Sequence, residues 1–187
     1  MKLNMRIVKD WLEKRFVLMY KGDMNSSISF DRPLVYHERC RIEQNALYIS
    51  DGEILSSKLN GTSFVALGKS NLNTNVVEVY DEITLPELFN IVQEIFVFFG
   101  NWERSLYSAL HDKTSLADLI TVSLPVFENA IVIANSEYKI LYDSGHDIPT
   151  YKGAPTIADT GYLSPEVVNS YKVDSFFNEV RAIPIAS

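Results

Sequence analysis

Hydrophobic residues between Leu85 and Ala109 recur at alternating steps of three and four: Leu85, Leu88, Val92, Ile95, Phe99, Trp102, Leu106 and Ala109. That rhythm is one face of a long helix written as a heptad seam. Phe89, Phe96 and Leu110 widen the stripe. Thr84 stands three residues before Glu87, with Pro86 between them. Its hydroxyl can accept from the Glu87 amide while the carboxylate reaches back, a capping arrangement worth about 1 kcal/mol. Gly100 and Asn101 leave room for a kink or a break, with Asn101 able to cap a second helix. Two readings of the stripe stand. In one, the helix is core, packed on a neighbouring sheet. In the other it gives one face to the sheet and joins a second copy of the chain through Leu88, Val92, Ile95, Phe99, Trp102 and Leu106. Glu87, Glu94, Glu103 and Arg104 leave no basic polar face, which argues against a helix lying on a membrane.

Before this helix, Ile7, Val8, Trp11, Leu12 and Phe16 keep helical spacing, predicting a short amphipathic helix near 5–16. The stretch from Lys21 to Ser29, rich in Gly, Asn and Ser, reads as a loop. "PLVYHERC" and "ALYIS" read as strands or a strand plus a turn. Asp51 can cap a brief helix over Glu53 to Leu59 that Asn60–Gly61 closes, and "TSFVALG" and "NVVEVY" are apolar enough to be buried strands. After the long helix, "TSLADLITVSLPVF" predicts a helix capped by Thr114 or Ser115 and ending at Pro125. Ala130–Ala134 and Tyr138–Tyr142 then form a hairpin about Asn135, Ser136 and Glu137. Ser144 to Gly161 is an excursion with three Gly and two Pro. "SPEVVNSYK" is a helix capped by Ser164, and "RAIPIAS" reads as one more strand.

The expected class is therefore α/β in the broad, α+β sense. A small α/β domain covers 1–83, a connecting and dimerising helix 84–112, and an incomplete GAF- or PAS-like α+β domain 113–187. A helix followed by such a hairpin is how many small ligand-sensing domains of those kinds begin.

Composition narrows the chemistry. Seventeen Lys and Arg against 24 Asp and Glu give 17 − 24 = −7 over 187 residues. So acidic a surface repels a phosphate backbone and disfavours direct nucleic-acid contact by this chain. Cys40 is the single cysteine, which precludes an internal disulfide and suits a reducing cytoplasm. The first 16 residues are charged throughout, unlike a secretory signal, and no apolar run approaches the length of a membrane span. A cytoplasmic location is expected.

His37, His111 and His146 have no partner at an established metal-ligand spacing. "GTSFVALGKS" lacks the phosphate-loop spacing, and no serine sits in a nucleophile-elbow pattern. No catalytic, metal or cofactor-binding residue is assigned, and no cofactor is expected. An enzyme with a scattered site, for instance Cys40 with His37 or Asp51, is an alternative, as is an interaction scaffold without a ligand. A pocket for a small effector needs only an apolar concavity with a few aimed polar groups. Asn135, Ser136, Tyr138 and Tyr142 are the candidates for it, against the plainer reading of cross-strand packing.

"LPELFNIVQEIFVFFGNWERSLYSAL", "SLADLITVSLPVFENAIVIANSEYKILYDSG" and "DTGYLSPEVVNSYK" follow one another in an order that resembles the middle of PucR-type (purine-catabolism-regulator-like) bacterial transcription regulators. Phe89, Asn90, Gln93, Phe96, Trp102 and Glu103 hold the positions of that family's helix pattern. Gly161, Tyr162 and Glu166 match a later turn before a helix. The resemblance covers about residues 80 to 172, while "ALYISDG" and "SFVALG" are looser matches to the first domain. It implies a signal-input region in which a small effector alters a homodimer. It also implies that DNA is met only through a C-terminal helix-turn-helix domain, which this chain does not contain, and that the chain is cut from a longer regulator.

Overall fold

A computed structural model describes residues 1–23, 28–52, 59, 61–72, 74–111, 115–145, 150–151 and 154–173. The chain divides into two units, Met1–Glu103 and Arg104–Ser187. The first holds β1 (Leu3–Asn4), α1 (Met5–Leu12), β2 (Leu18–Lys21), β3 (Ser29–Phe30), β4 (Arg32–Val35), β5 (Ala46–Ser50), β6 (Ser63–Leu67) and β7 (Val76–Val79). It also takes in most of α2 (Leu85–His111), so the helix expected to be a separate linker belongs largely to the N-terminal unit.

Five strands form one sheet in the order β2-β7-β6-β5-β4. β4, β5, β6 and β7 run parallel, and β2 closes the β7 edge antiparallel. Burial of β5, β6 and β7 on both faces explains their unbroken apolar runs. Ala46, Tyr48, Phe64, Ala66 and Val76 build a cluster with Leu59 and Leu72 on one face, against which Tyr36, Cys40 and Ile42 pack. Tyr48 keeps its polar tip satisfied there: its hydroxyl accepts from the Glu43 amide at 2.8 Å and donates to the Arg41 carbonyl at 3.3 Å. By the alternation of the pleat, Leu47, Ile49, Val65, Val77 and Val79 point to the opposite face, and they too are buried. α1 and α2 carry the matching buried stripes, Met5, Val8 and Leu12 on one, Leu88, Val92, Ile95 and Phe99 on the other. Trp11 ties the two helices together, with its ring 4.6 Å from Phe98 and 5.4 Å from Phe99.

Several local expectations change. α1 begins at an Asn4 cap, whose side chain accepts from the Ile7 amide, and stops at Leu12 rather than near Phe16. The Asp81 carboxylate takes the Val17 amide at 2.7 Å, which draws the chain out of the helix and into β2, a strand the amphipathic pattern concealed. Thr84 caps α2 as read: its amide donates to Glu87 Oε2 at 2.8 Å and its hydroxyl accepts from the Glu87 amide at 3.4 Å. α2 is one unbroken element through Gly100 and Asn101. Among the described residues a Cβ at Gly100 would meet nothing within 4 Å, so the glycine marks no close approach to them. The brief helix expected over Glu53 to Leu59 and the strand in "RAIPIAS" lie outside the described residues, Leu59 excepted.

The second unit holds α3 (Leu116–Phe127), β8 (Val132–Ala134), β9 (Ile140–Asp143), β10 (Thr150–Tyr151), β11 (Ala154–Pro155) and α4 (Pro165–Val173). Ser115 and Asp118 form a reciprocal capping box for α3. The helix continues past Pro125 to a left-handed Glu128, because its end is set by that cap rather than by the proline. β8 and β9 pair antiparallel with a bulge, and β10 with β11 gives the expected excursion a hairpin of its own. The whole is a mixed α/β protein of the α+β kind. Among the described residues no helix is long and apolar enough to cross a membrane.

Candidate functional site

The most conspicuous polar feature is a carboxylate within the sheet. Glu78 is fully buried on β7, flanked by Val77 and Val79. On β2, Met19 lies opposite Glu78 and Lys21 opposite Val76, so Lys21 and Glu78 share a face as diagonal cross-strand neighbours. The Lys21 ammonium donates to Glu78 Oε1 at 2.6 Å and to the Ser70 carbonyl at 3.3 Å. The Ser70 amide donates to the same carboxylate oxygen at 2.6 Å, and the Tyr80 hydroxyl donates to Oε2 at 2.7 Å. Burial alone would push this carboxyl upward. The hydrogen bonds from Lys21, Tyr80 and Ser70 outweigh it and hold the pKa at about 2, against an ordinary 4.5. The same bond keeps the Tyr80 proton in place and raises that phenol above its usual value. Glu78 is thus a fixed anion, and a paired one is poorly suited to proton transfer near neutrality.

A recess of about 380 Å³ opens beside this pair, lined by Lys21, Gly22, Leu72, Thr74 and Asn75. Gly22 has φ +120°, and a Cβ there would fall 2.2 Å from Asn75 Oδ1, so only glycine permits the approach. Asn75 Oδ1 accepts from the Tyr20 hydroxyl at 3.3 Å and the Asp23 amide at 2.9 Å, which orients the side chain. A second hollow, of about 180 Å³, lies where α1 meets α2, bounded by Trp11, Arg15, Ile91, Glu94, Ile95 and Phe98. Across it an Arg15 nitrogen stands 3.5 Å from Glu94 Oε2.

Residues assigned from the sequence fare unevenly. Of the six proposed for a dimer seam, Leu88, Val92, Ile95 and Phe99 are buried within the chain itself, and Trp102 and Leu106 are half-buried. The first four are therefore core, because a partner helix could reach them only by opening the N-terminal unit. A parallel stripe displaced by one residue, Phe96, Gly100, Glu103, Tyr107 and Leu110, repeats the four-three rhythm on α2. It ends on exposed apolar side chains: Tyr107 is 67% and Leu110 62% exposed. Asn135, Ser136 and Tyr138 lie at the turn and Tyr142 pairs with Ile133 further along the hairpin, but Asn135 serves the turn itself. Its Oδ1 accepts from the Glu137 amide at 3.0 Å and the Lys139 amide at 2.9 Å, while Tyr138 adopts φ +66°. Ser136 is exposed, Tyr142 is half-buried on β9, and the Lys172 ammonium stands 5.8 Å from the Tyr138 ring.

Cys40 is a free, half-buried thiol whose amide donates to the His37 carbonyl at 2.9 Å, and His37 and Asp51 are exposed. Among the described residues no three of His, Cys, Asp and Glu are grouped to hold a metal. No family model, curated protein or solved structure matches the chain.

Proposed function

We propose that the chain is the signal-input and dimerisation region of a bacterial transcription regulator that acts in the cytoplasm. It senses a small metabolite as a homodimer and leaves DNA contact to a separate reading segment. The observation that supports this most is the division of labour along α2. Its first half is locked by Leu88, Val92, Ile95 and Phe99 into the N-terminal unit. Its last turns carry Tyr107 and Leu110 as uncovered apolar side chains on one ridge. A helix anchored at one end and free to associate at the other can pass a change at its anchor to a twin copy. Tyr107 and Leu110 stand three residues apart, a spacing that a pair of such helices can pack. The acidic surface, at a net charge of −7, agrees with a region that does not itself touch DNA.

A fusion to a monomeric DNA-reading domain that represses only when paired tests this reading. The chain should confer repression, and Tyr107→Asp or Leu110→Asp should abolish it at unchanged protein level. Repression no better than that of the reader alone would count against the proposal.

A further inference from the structure

We infer that the hollow between α1 and α2 is a binding site for a small apolar zwitterion, of the class of the hydrophobic α-amino acids. The inference deepens the signal-input reading by giving its metabolite a place and a chemistry. Three features carry it. First, the walls are apolar and partly aromatic: Trp11 from α1 faces Ile91, Ile95 and Phe98 from α2. The space of about 180 Å³ is of the order of engineered cavities of about 150 Å³ that accept benzene, so a leucine or phenylalanine side chain is the right scale.

Second, the hollow carries one cation and one anion, Arg15 and Glu94, and they face one another. Their bond is a single long contact of 3.5 Å, and both side chains are more than half exposed. So weak a pair contributes little to the fold, and among the described residues the guanidinium keeps most of its donors. A ligand carboxylate can take Arg15 in a bidentate fork while its ammonium takes Glu94, with its side chain in the apolar floor. Nearby charges among the described residues have partners of their own. Lys9 pairs with Glu13 at 2.5 Å, and the Lys14 ammonium rests 4.1 Å from the Trp11 ring.

Third, four of the six lining residues belong to α2, the helix that continues to Tyr107 and Leu110. An occupant would therefore press on the element proposed to carry association.

Isothermal titration calorimetry of the full chain with L-leucine and L-phenylalanine tests the site. Saturable binding of at least one is expected. N-acetyl-L-phenylalanine, which lacks the ammonium, and 2-phenylethylamine, which lacks the carboxylate, should each bind about tenfold more weakly or worse. Arg15→Ala and Glu94→Ala should each weaken the amino acid to a similar degree while leaving the thermal midpoint of the unliganded chain nearly unchanged. Val97→Ala, on an exposed position of α2 outside the hollow, should leave binding intact. No heat with either amino acid, or equal affinity for the two single-charge analogues, would overturn the inference. So would binding indifferent to Arg15 and Glu94. The mass of the chain, with and without the bound amino acid, is a separate readout. Binding that leaves it unchanged keeps the site and withdraws only its link to the regulator reading.

Discussion

Leu88→Ala should lower the free energy of unfolding by about 3 kcal/mol, within the range for a fully buried leucine reduced to alanine. Leu88 is fully buried within the N-terminal unit, at the point where α2 enters it. Denaturant midpoints measured at several protein concentrations separate a core role from an interfacial one. If Leu88 is core, the loss is the same at every concentration. If it sits in a seam between copies, the loss grows as the protein is concentrated, because association then contributes to apparent stability. Leu110→Ala, on a side chain 62% exposed, should change the stability of the single chain by no more than about 0.5 kcal/mol.

Lys21→Met should cost about 2 to 3 kcal/mol, since it leaves the buried Glu78 carboxylate without its cation, held by neutral donors such as the Ser70 amide and the Tyr80 hydroxyl. The figure falls below the roughly 3 to 5 kcal/mol of a fully buried pair because the Lys21 side chain is itself 36% exposed. The double variant Lys21→Met with Glu78→Met should recover most of the loss, because no charge is then left buried. The pH dependence has a definite sign. Glu78 has a folded pKa of about 2 below an ordinary 4.5, so its contribution is fully present above 4.5 and disappears as pH falls toward 2. The decline from this one group is on the order of 3 kcal/mol. Urea titrations across that window should show the decline in the wild type and a shallower one in Glu78→Gln. A wild type as stable at the acid end as at neutrality would show that Glu78 is not held as the structure has it.

Much of the architecture is written plainly in the chain. Thr84 and Glu87 announce the start of α2, Ser115 and Asp118 that of α3, and the apolar runs of β5, β6 and β7 declare a sheet covered on both faces. These signals are local, and local physics settles them. What escaped the sequence depends on distant partners. β2 hides because Leu18 to Lys21 pairs with a strand more than fifty residues away, and Lys21 meets Glu78 at a separation of 57. One clue was present: a lone carboxylate inside "NVVEVY" demands a partner that no neighbour in sequence supplies. Periodicity likewise shows that a face is buried without showing by what. The seam through Leu88, Val92, Ile95 and Phe99 repeats as a dimer would, yet α1 and the sheet lie within its own unit to cover it. The candidate ligand residues at the hairpin illustrate the same limit, since Asn135 is a turn former before it is anything else.

The proposal that α2 is core at its start and interface at its end is tested most directly by sedimentation equilibrium at micromolar concentration, on the wild type beside Leu110→Asp. The account predicts a wild-type mass approaching twice 21.2 kDa and a variant that remains a folded single chain. A wild type that stays at 21.2 kDa throughout, or a dimer that Leu110→Asp leaves untouched, would contradict it.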